Sequence, residues 1–329
     1  MFQAAQNRYE TMTYHRCGRS GVQLPKVSLG LWHNFGTNSD YDTMVQMCKT
    51  AFDHGINHFD LANNYGPVAG AAEENFGRIL SQELGDYRDE LLISTKAGYD
   101  MWQGPYGDFG SKKYLVTSLD QSLKRMGLEY VDIFYHHRPD PNTSIEETAV
   151  ALDGIVKSGK ALYIGLSNYN QEQMEAAMVY FRELHTPFVI QQRRYSILDR
   201  TIERDGTKAY CAAQGIGMIT FSPLEQGLLT NRYLHGIPAD SRVRKEGSFL
   251  HEANLTQSIM NKIRALDEIA ANRGESLAQM ALSWILRDGE VNSVLIGASK
   301  PTQILDNLGI LSSAPFTQDE CTRIDQIVL

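Results

Sequence analysis

The chain has 329 residues, enough for one large domain or two ordinary ones at about 100 to 200 residues each. Apolar residues make up 42% and charged residues 21%, and 27 Gly with 10 Pro are too few for a fibrous or linker-like chain, which excludes disorder and collagen. The net charge of −8, with no long run of Lys and Arg, removes the counterion release that drives binding to nucleic acid. Cys17, Cys48, Cys211 and Cys321 lie far apart with no C-x-x-C pair, which reads as reduced thiols in a cytoplasmic protein. No apolar stretch approaches the roughly 20 residues of a membrane-spanning helix, so no membrane partner is expected.

Residues 11–25 carry two short β-like pieces around Gly18-Arg19-Ser20-Gly21, and a hairpin plugging the bottom of the following structure is expected there. From residue 27 onward, eight short apolar runs each precede an amphipathic stretch. The runs are Val27 to Trp32, Ile56 to Asp60, Leu91 to Lys96, Val131 to His136, Ala161 to Gly165, Phe188 to Gln192, Gly217 to Phe221 and Ser293 to Ile296. Helical segments are expected near 40–54, 72–84, 112–126, 144–157, 171–184, 200–214, 256–287 and 301–310. Ser39-Asp40, Thr143-Ser144 and Ser299 ahead of Pro301 supply helix starts, and Gly55, Gly127, Gly159 and Gly215 supply stops just before strands.

Strand-then-helix repeated eight times implies parallel strands joined by right-handed crossovers, and over some 290 residues this suits a closed (β/α)8 barrel. The open alternative would carry a Gly-rich phosphate fingerprint after its first strand, but that strand ends Leu31-Trp32-His33-Asn34. Composition does not shift along the chain, so residues 1–329 read as one α/β barrel domain with an N-terminal hairpin and extra C-terminal helices.

Two motifs mislead. Gly154-Ile155-Val156-Lys157-Ser158-Gly159-Lys160 follows most of a Walker A pattern, but Ala161 stands where Ser or Thr must bind magnesium, and the segment runs from helix to strand. His136 and His137 are neighbours on a strand, point to opposite faces and cannot share a metal ion, and no H-E-x-x-H or Cys/His cluster occurs; no metal is expected.

Barrel enzymes keep their chemistry at the carboxyl ends of the strands. There Asp60 ends the second run, Tyr65 follows it, Lys96 ends the third and His137 closes the fourth. Each alone has a structural explanation: a turn cap, a surface tyrosine, a snorkelling ammonium, a core imidazole. Together they explain one another. A phenol of pKa about 10 is a poor acid at neutral pH, a buried ammonium nearby favours its phenolate, and a buried Lys needs a carboxylate. His137 can then orient or polarise a carbonyl beside them.

These residues bring the chain into resemblance with the aldo-keto reductase superfamily over nearly its whole length. Asp60-Leu61-Ala62-Asn63-Asn64-Tyr65-Gly66 followed by Glu73-Glu74-Asn75-Phe76-Gly77 is similar to that family's D-x-A-x-x-Y-G…E…G signature, with Lys96 and His137 at the matching positions. The resemblance implies reduction of aldehydes and ketones with NADPH in a barrel without a Rossmann unit, with Tyr65 as proton donor. By the same resemblance, Trp32, Ser167, Asn168, Gln192 and Phe221 would hold or stack on the nicotinamide. The loop Ser222-Pro223-Leu224-Glu225-Gln226-Gly227-Leu228-Leu229 would cover the pyrophosphate, with Arg232 and Arg242 as phosphate partners. Gly297, Ser299, Lys300, Gln303, Asp306 and Asn307 would take the 2′-phosphate and adenine, where a helix N-terminus favours an anion.

Gln303 departs from the Arg that many members place beside the 2′-phosphate, and Val243 to Asn254 is short against bacterial members. Within the superfamily the likeness is to the bacterial L-glyceraldehyde 3-phosphate reductases and to the β subunits of voltage-gated potassium channels. The former implies a small carbonyl substrate, phosphorylated or of the methylglyoxal kind, with Arg138 or the pair Arg193-Arg194 as phosphate candidates or, equally, as structural salt bridges. The latter implies a nucleotide-binding sensor with little turnover, against which His137 speaks, since the channel group carries Asn there. A homo-oligomer is the one protein partner this reading allows.

Overall fold

The computed structural model describes residues 2–234, 236–237 and 250–329. β1 (Tyr14–Arg16) and β2 (Gln23–Pro25) pair antiparallel, with Tyr14 opposite Pro25, and form the expected hairpin. The barrel strands are β3 (Val27–Gly30), β4 (His58–Asp60), β5 (Leu92–Ala97), β6 (Val131–His136), β7 (Ala161–Ser167), β8 (Phe188–Arg194), β9 (Gly217–Phe221) and β10 (Ser293–Ile296). All neighbours are parallel in chain order, and β10 closes on β3.

The crossovers hold α1 (Tyr41–Asp53), α2 (Ala71–Ile79), α3 (Lys112–Met126), α4 (Ile145–Lys157), α5 (Gln171–Leu184), α6 (Thr201–Arg204), α7 (Thr207–Gln214), α8 (Gln257–Asn272) and α9 (Leu277–Ile285), and α10 (Pro301–Asn307) and α11 (Gln318–Val328) follow β10. Asp40 caps α1 through Thr43 N at 2.8 Å and Ser144 caps α4 through Glu147 N at 3.2 Å. Three expected helices end or divide differently. The segment expected over 72–84 leaves the α form at Ile79. The 200–214 segment breaks at Gly206 (φ 76°) and the 256–287 segment near Gly274 (φ 71°), left-handed positions where an α-helix cannot continue. Gly154 to Lys160 leads from α4 into β7, the wrong context for a phosphate loop.

Strand alternation sorts the side chains into two apolar layers. Leu29, Phe59, Ile93, Phe134, Ile164, Met218 and Ile296 point outward and pack under the helices. Ile133, Tyr135, Ile190, Ile219 and Leu295 point inward and meet Cys17, Val22 and Leu24 of the hairpin. The hairpin thus seals the amino-terminal end of the barrel and leaves the carboxyl end open for loops. Among the described residues no helix is long and apolar enough to cross a membrane.

Candidate active site

The period of two decides which side chains reach the open end. Asp60 lies beside Ser94 in the β4–β5 register, Lys96 beside Tyr135 across β5–β6, and Ser167 beside Gln192 across β7–β8. Asp60 and Lys96 are fully buried, and Lys96 Nζ lies 2.5 Å from Asp60 Oδ2 and 2.6 Å from Leu61 O. The same ammonium is 3.3 Å from Tyr65 Oη. Ser94 Oγ and Gln192 Nε2 donate to Asp60 Oδ1 at 2.7 and 3.2 Å. His137 faces Tyr65 edge-on at 5.8 Å between ring centroids, and Tyr99 closes its other side at 4.6 Å. The four residues singled out in the sequence therefore form one cluster.

Burial pushes the Tyr65 phenol well above its ordinary range, and the negative charge of Asp60 adds to it. The hydroxyl therefore keeps its proton in the resting site, with the Lys96 ammonium 3.3 Å away, where it would favour a phenolate as the sequence expectation has it. Burial lowers the Lys96 ammonium against the opposing pull of Asp60. Burial, followed by Lys96, His136 and Arg138, holds His137 well below the ordinary imidazole value, so its ring is neutral. His136 turns the opposite way and bonds Tyr169 Oη through Nδ1 at 2.6 Å.

Beside this cluster a cavity of about 380 Å³ is lined by Trp32, Phe221, Ser222, Gln226, Arg194 and Leu250, among others. Trp32 also approaches the Tyr65 ring at 5.9 Å. Asn168, at φ 63°, donates from Nδ2 to His137 O at 3.0 Å, which seats it and Ser167 next to the cluster. The loop after β9 turns through left-handed Ser222 and Gln226 and through Gly227, with Pro223 buried and Leu224 half-buried. Asn34 Nδ2 bonds Ala298 O at 2.7 Å, tying the loop after β10 to the one after β3. A Cβ on Gly297 would meet nothing within 4 Å, so its backbone borders open space. Aromatic rings on a cavity wall beside a carboxamide, a hydroxyl and an open backbone fit a nicotinamide nucleotide.

Other expected cofactor residues are placed differently. Gln303 Oε1 accepts from Ser299 N at 2.8 Å and from Ser299 Oγ at 3.1 Å, so it holds the loop at the start of α10. Ser299 and Lys300 are exposed there. Asp306 O accepts from Gln279 Nε2 at 2.8 Å, and Asn307 is buried. Arg232 is exposed on the turn Asn231–Tyr233, and Arg242 lies outside the described residues, as does most of Val243 to Asn254.

Arg138 lies in the loop just past β6, and Arg193 and Arg194 separate by the parity of β8. Arg138 grips Asp108 at 2.7 and 2.8 Å and Gly98 O at 2.6 Å. Arg193 points outward with Gln191 and pairs with Asp205 at 2.9 Å. Arg194 points inward with Gln192, pairs with Glu225 and with Asp199 at 3.2 Å, and borders the cavity with about half its side chain exposed. Sequence reasoning missed Tyr99 and Glu225. Tyr99 lies three residues past Lys96 in a carboxyl-end loop, a position that could have been searched. Glu225 sits inside the quoted loop motif and gives no sign of its ion pair.

A family model described as the aldo/keto reductase family matches residues 26–329. The chain is 53% identical over 322 residues to the L-glyceraldehyde 3-phosphate reductase of Escherichia coli (strain K12), covering 97% of this chain and 93% of that protein. It is 36% identical over 325 residues to a probable voltage-gated potassium channel subunit beta of Oryza sativa subsp. japonica, covering 96% and 97%. Its fold matches the crystal structure of a thermostable aldo-keto reductase in complex with the inhibitor epalrestat, with a TM-score of 0.74 and 29% identity, covering 96% of this chain and 100% of that one. A barrel of this topology, an Asp60–Lys96–Tyr65–His137 cluster at its open end and likeness along the whole length lead to one conclusion: the chain belongs to the aldo/keto reductase family.

Proposed function

We propose that the protein is a cytoplasmic enzyme that reduces small aldehydes to alcohols with NADPH, with Tyr65 giving a proton to the carbonyl oxygen. The observation that carries this reading is the Lys96 ammonium, buried between Asp60 Oδ2 at 2.5 Å and Tyr65 Oη at 3.3 Å. NADPH, when bound, supplies the hydride to the carbonyl carbon. Phe221, Trp32, Ser167, Asn168 and Gln192 would hold its nicotinamide, and Ser299 and Lys300 its 2′-phosphate. Tyr65 keeps its proton until negative charge develops on the carbonyl oxygen. Lys96 stabilises the phenolate left behind, and neutral His137 donates a hydrogen bond to the same oxygen.

The 53% identical relative favours a small phosphorylated aldehyde such as glyceraldehyde 3-phosphate. All three arginines hold carboxylates, but of the three Arg194 is the one that lines the cavity, so it is the phosphate partner we favour, with Glu225 and Asp199 giving way to the anion. The experiment follows NADPH absorbance with glyceraldehyde 3-phosphate, glyceraldehyde and methylglyoxal. A higher kcat/KM for the phosphorylated aldehyde, erased in Arg194→Ala through a raised KM, is the expected result. Equal efficiencies would leave a general reductase of methylglyoxal-like carbonyls, and tight nucleotide binding without turnover of any aldehyde would favour a sensing role like that of the channel β-subunit group.

A further inference from the structure

Beneath Asp60, the barrel interior is not filled by branched aliphatics on every strand. Opposite Ile133, Ile190 and Ile219 it holds Ser28 (β3), His58 (β4), Ser94 (β5) and Ser293 (β10), all fully buried. Burying polar groups is costly unless each is hydrogen-bonded. These are bonded in series: Ser293 Oγ to Ser28 Oγ at 2.7 Å, Ser28 Oγ to His58 Nδ1 at 2.8 Å, His58 Nε2 to Ser94 Oγ at 3.0 Å, and Ser94 Oγ to Asp60 Oδ1 at 2.7 Å. Asp60 Oδ2 continues the series to Lys96, and Lys96 to Tyr65.

Counting protons gives the series a direction. The Asp60 carboxylate, paired with Lys96, has no proton to give, so Ser94 spends its only proton on Oδ1. Ser94 Oγ must then accept from His58, which places the ring proton on Nε2. Burial pushes this imidazole down to about 4, against the opposing charge of Asp60, so the ring is neutral and its Nδ1 accepts from Ser28. Ser28 has then spent its proton on His58, so Ser293 donates to Ser28 Oγ at 2.7 Å, with Lys26 O a more distant second acceptor at 3.5 Å. Reversing any one link would leave a buried donor or acceptor unpaired.

We infer that His58, with Ser28, Ser94 and Ser293, forms a positioning relay that fixes the rotation of the Asp60 carboxylate and so aims Lys96 at the Tyr65 hydroxyl. The terminal torsion of an aspartate is soft, and without Ser94 the side-chain donor left to Oδ1 among the described residues is Gln192, at 3.2 Å. None of the four touches the cavity beside Trp32 and Phe221. Their effect reaches the reaction only through Asp60 and Lys96. The inference rests on the reading of Tyr65 as proton donor.

The test pairs kinetics with a measurement that needs no turnover. Ser94→Ala should lower kcat by about 10-fold to 100-fold, the range for one hydrogen bond to a charged group, while both KM values stay near wild type. Ser94→Thr, which keeps the hydroxyl, should recover most of the loss. In protein labelled with ¹⁵N-histidine, the His58 signal, identified by its loss in His58→Gln, should show a neutral ring protonated at Nε2 at neutral pH. A folded Ser94→Ala variant with wild-type kcat would overturn the relay. So would equal losses in the Ala and Thr variants with raised KM, which would mean packing alone, or a His58 ring protonated at Nδ1. Failure of the wild type to reduce any aldehyde would instead remove the reading of the reaction, and the ring tautomer would still decide the direction of the series.

Discussion

Tyr65 must hold its proton until a carbonyl oxygen begins to gain charge, and both neighbouring effects act that way: burial and Asp60 raise the phenol. His137, lowered well below the ordinary imidazole value, is neutral. Neither group changes charge between about pH 5 and 8, where an unperturbed histidine would titrate. The kcat for aldehyde reduction should therefore be flat across that window, measured by steady-state kinetics at fixed ionic strength. An inflection near the ordinary imidazole value would make His137 an imidazolium acid. Lys96 and Asp60 form a fully buried ion pair, so Lys96→Met should cost stability as well as rate, about 3 to 5 kcal/mol for the stranded carboxylate. Denaturant unfolding separates the two losses. Lys300→Ala should weaken NADPH by about 1 to 3 kcal/mol and spare NADH, as titrations with the two nucleotides would show. Equal weakening of both would take Lys300 away from the 2′-phosphate.

At the level of elements, the hairpin of β1 and β2 seals one end of the barrel while the chemistry sits at the other. Gly18 adopts φ 54°, and a Cβ there would lie 1.8 Å from Gly215 O. Gly18→Ala should therefore unseat Cys17 and Leu24 from the barrel floor and lower the midpoint of thermal unfolding, with kcat per folded molecule kept. A fall in kcat at unchanged stability would mean that the floor and the site are coupled. The strands and the polar residues at their carboxyl ends were legible because alternation with period two and the glycine stops at Gly55, Gly127, Gly159 and Gly215 are local signals. The breaks at Gly206 and Gly274 were passed over because single glycines inside helical patterns are often tolerated. The separate fates of Arg193 and Arg194 follow from the parity of β8, yet the partners Asp205 and Glu225 belong to other elements and leave no trace in the local sequence.

For the molecule as a whole, neutral buried imidazoles set the acid limit. Burial pushes both His58 and His136 down to about 4. The unfolded chain takes up protons on these rings as pH falls through about 6.5, but the folded chain does so only near the lower value, so stability drops with falling pH between those two points. Each ring can account for about 3 kcal/mol across the full window. The urea midpoint should thus be lower at pH 5 than at pH 7, and equal midpoints would contradict neutral burial. Much of the site was legible from Asp60, Tyr65, Lys96 and His137, whose residue types need one another. The polar interior under Asp60 was not, because Ser28 and Ser293 lie 265 positions apart and meet only when the barrel closes.

The central claim is that Tyr65 delivers the proton in an NADPH-dependent aldehyde reduction. Single-turnover oxidation of bound NADPH by a small aldehyde, compared between the wild type and Tyr65→Phe, tests it most directly. The substitution should leave nucleotide binding intact and slow the turnover by about 10²-fold to 10⁴-fold, the usual effect of a positioned proton donor. A Tyr65→Phe variant that reduces the aldehyde at the wild-type rate would contradict it.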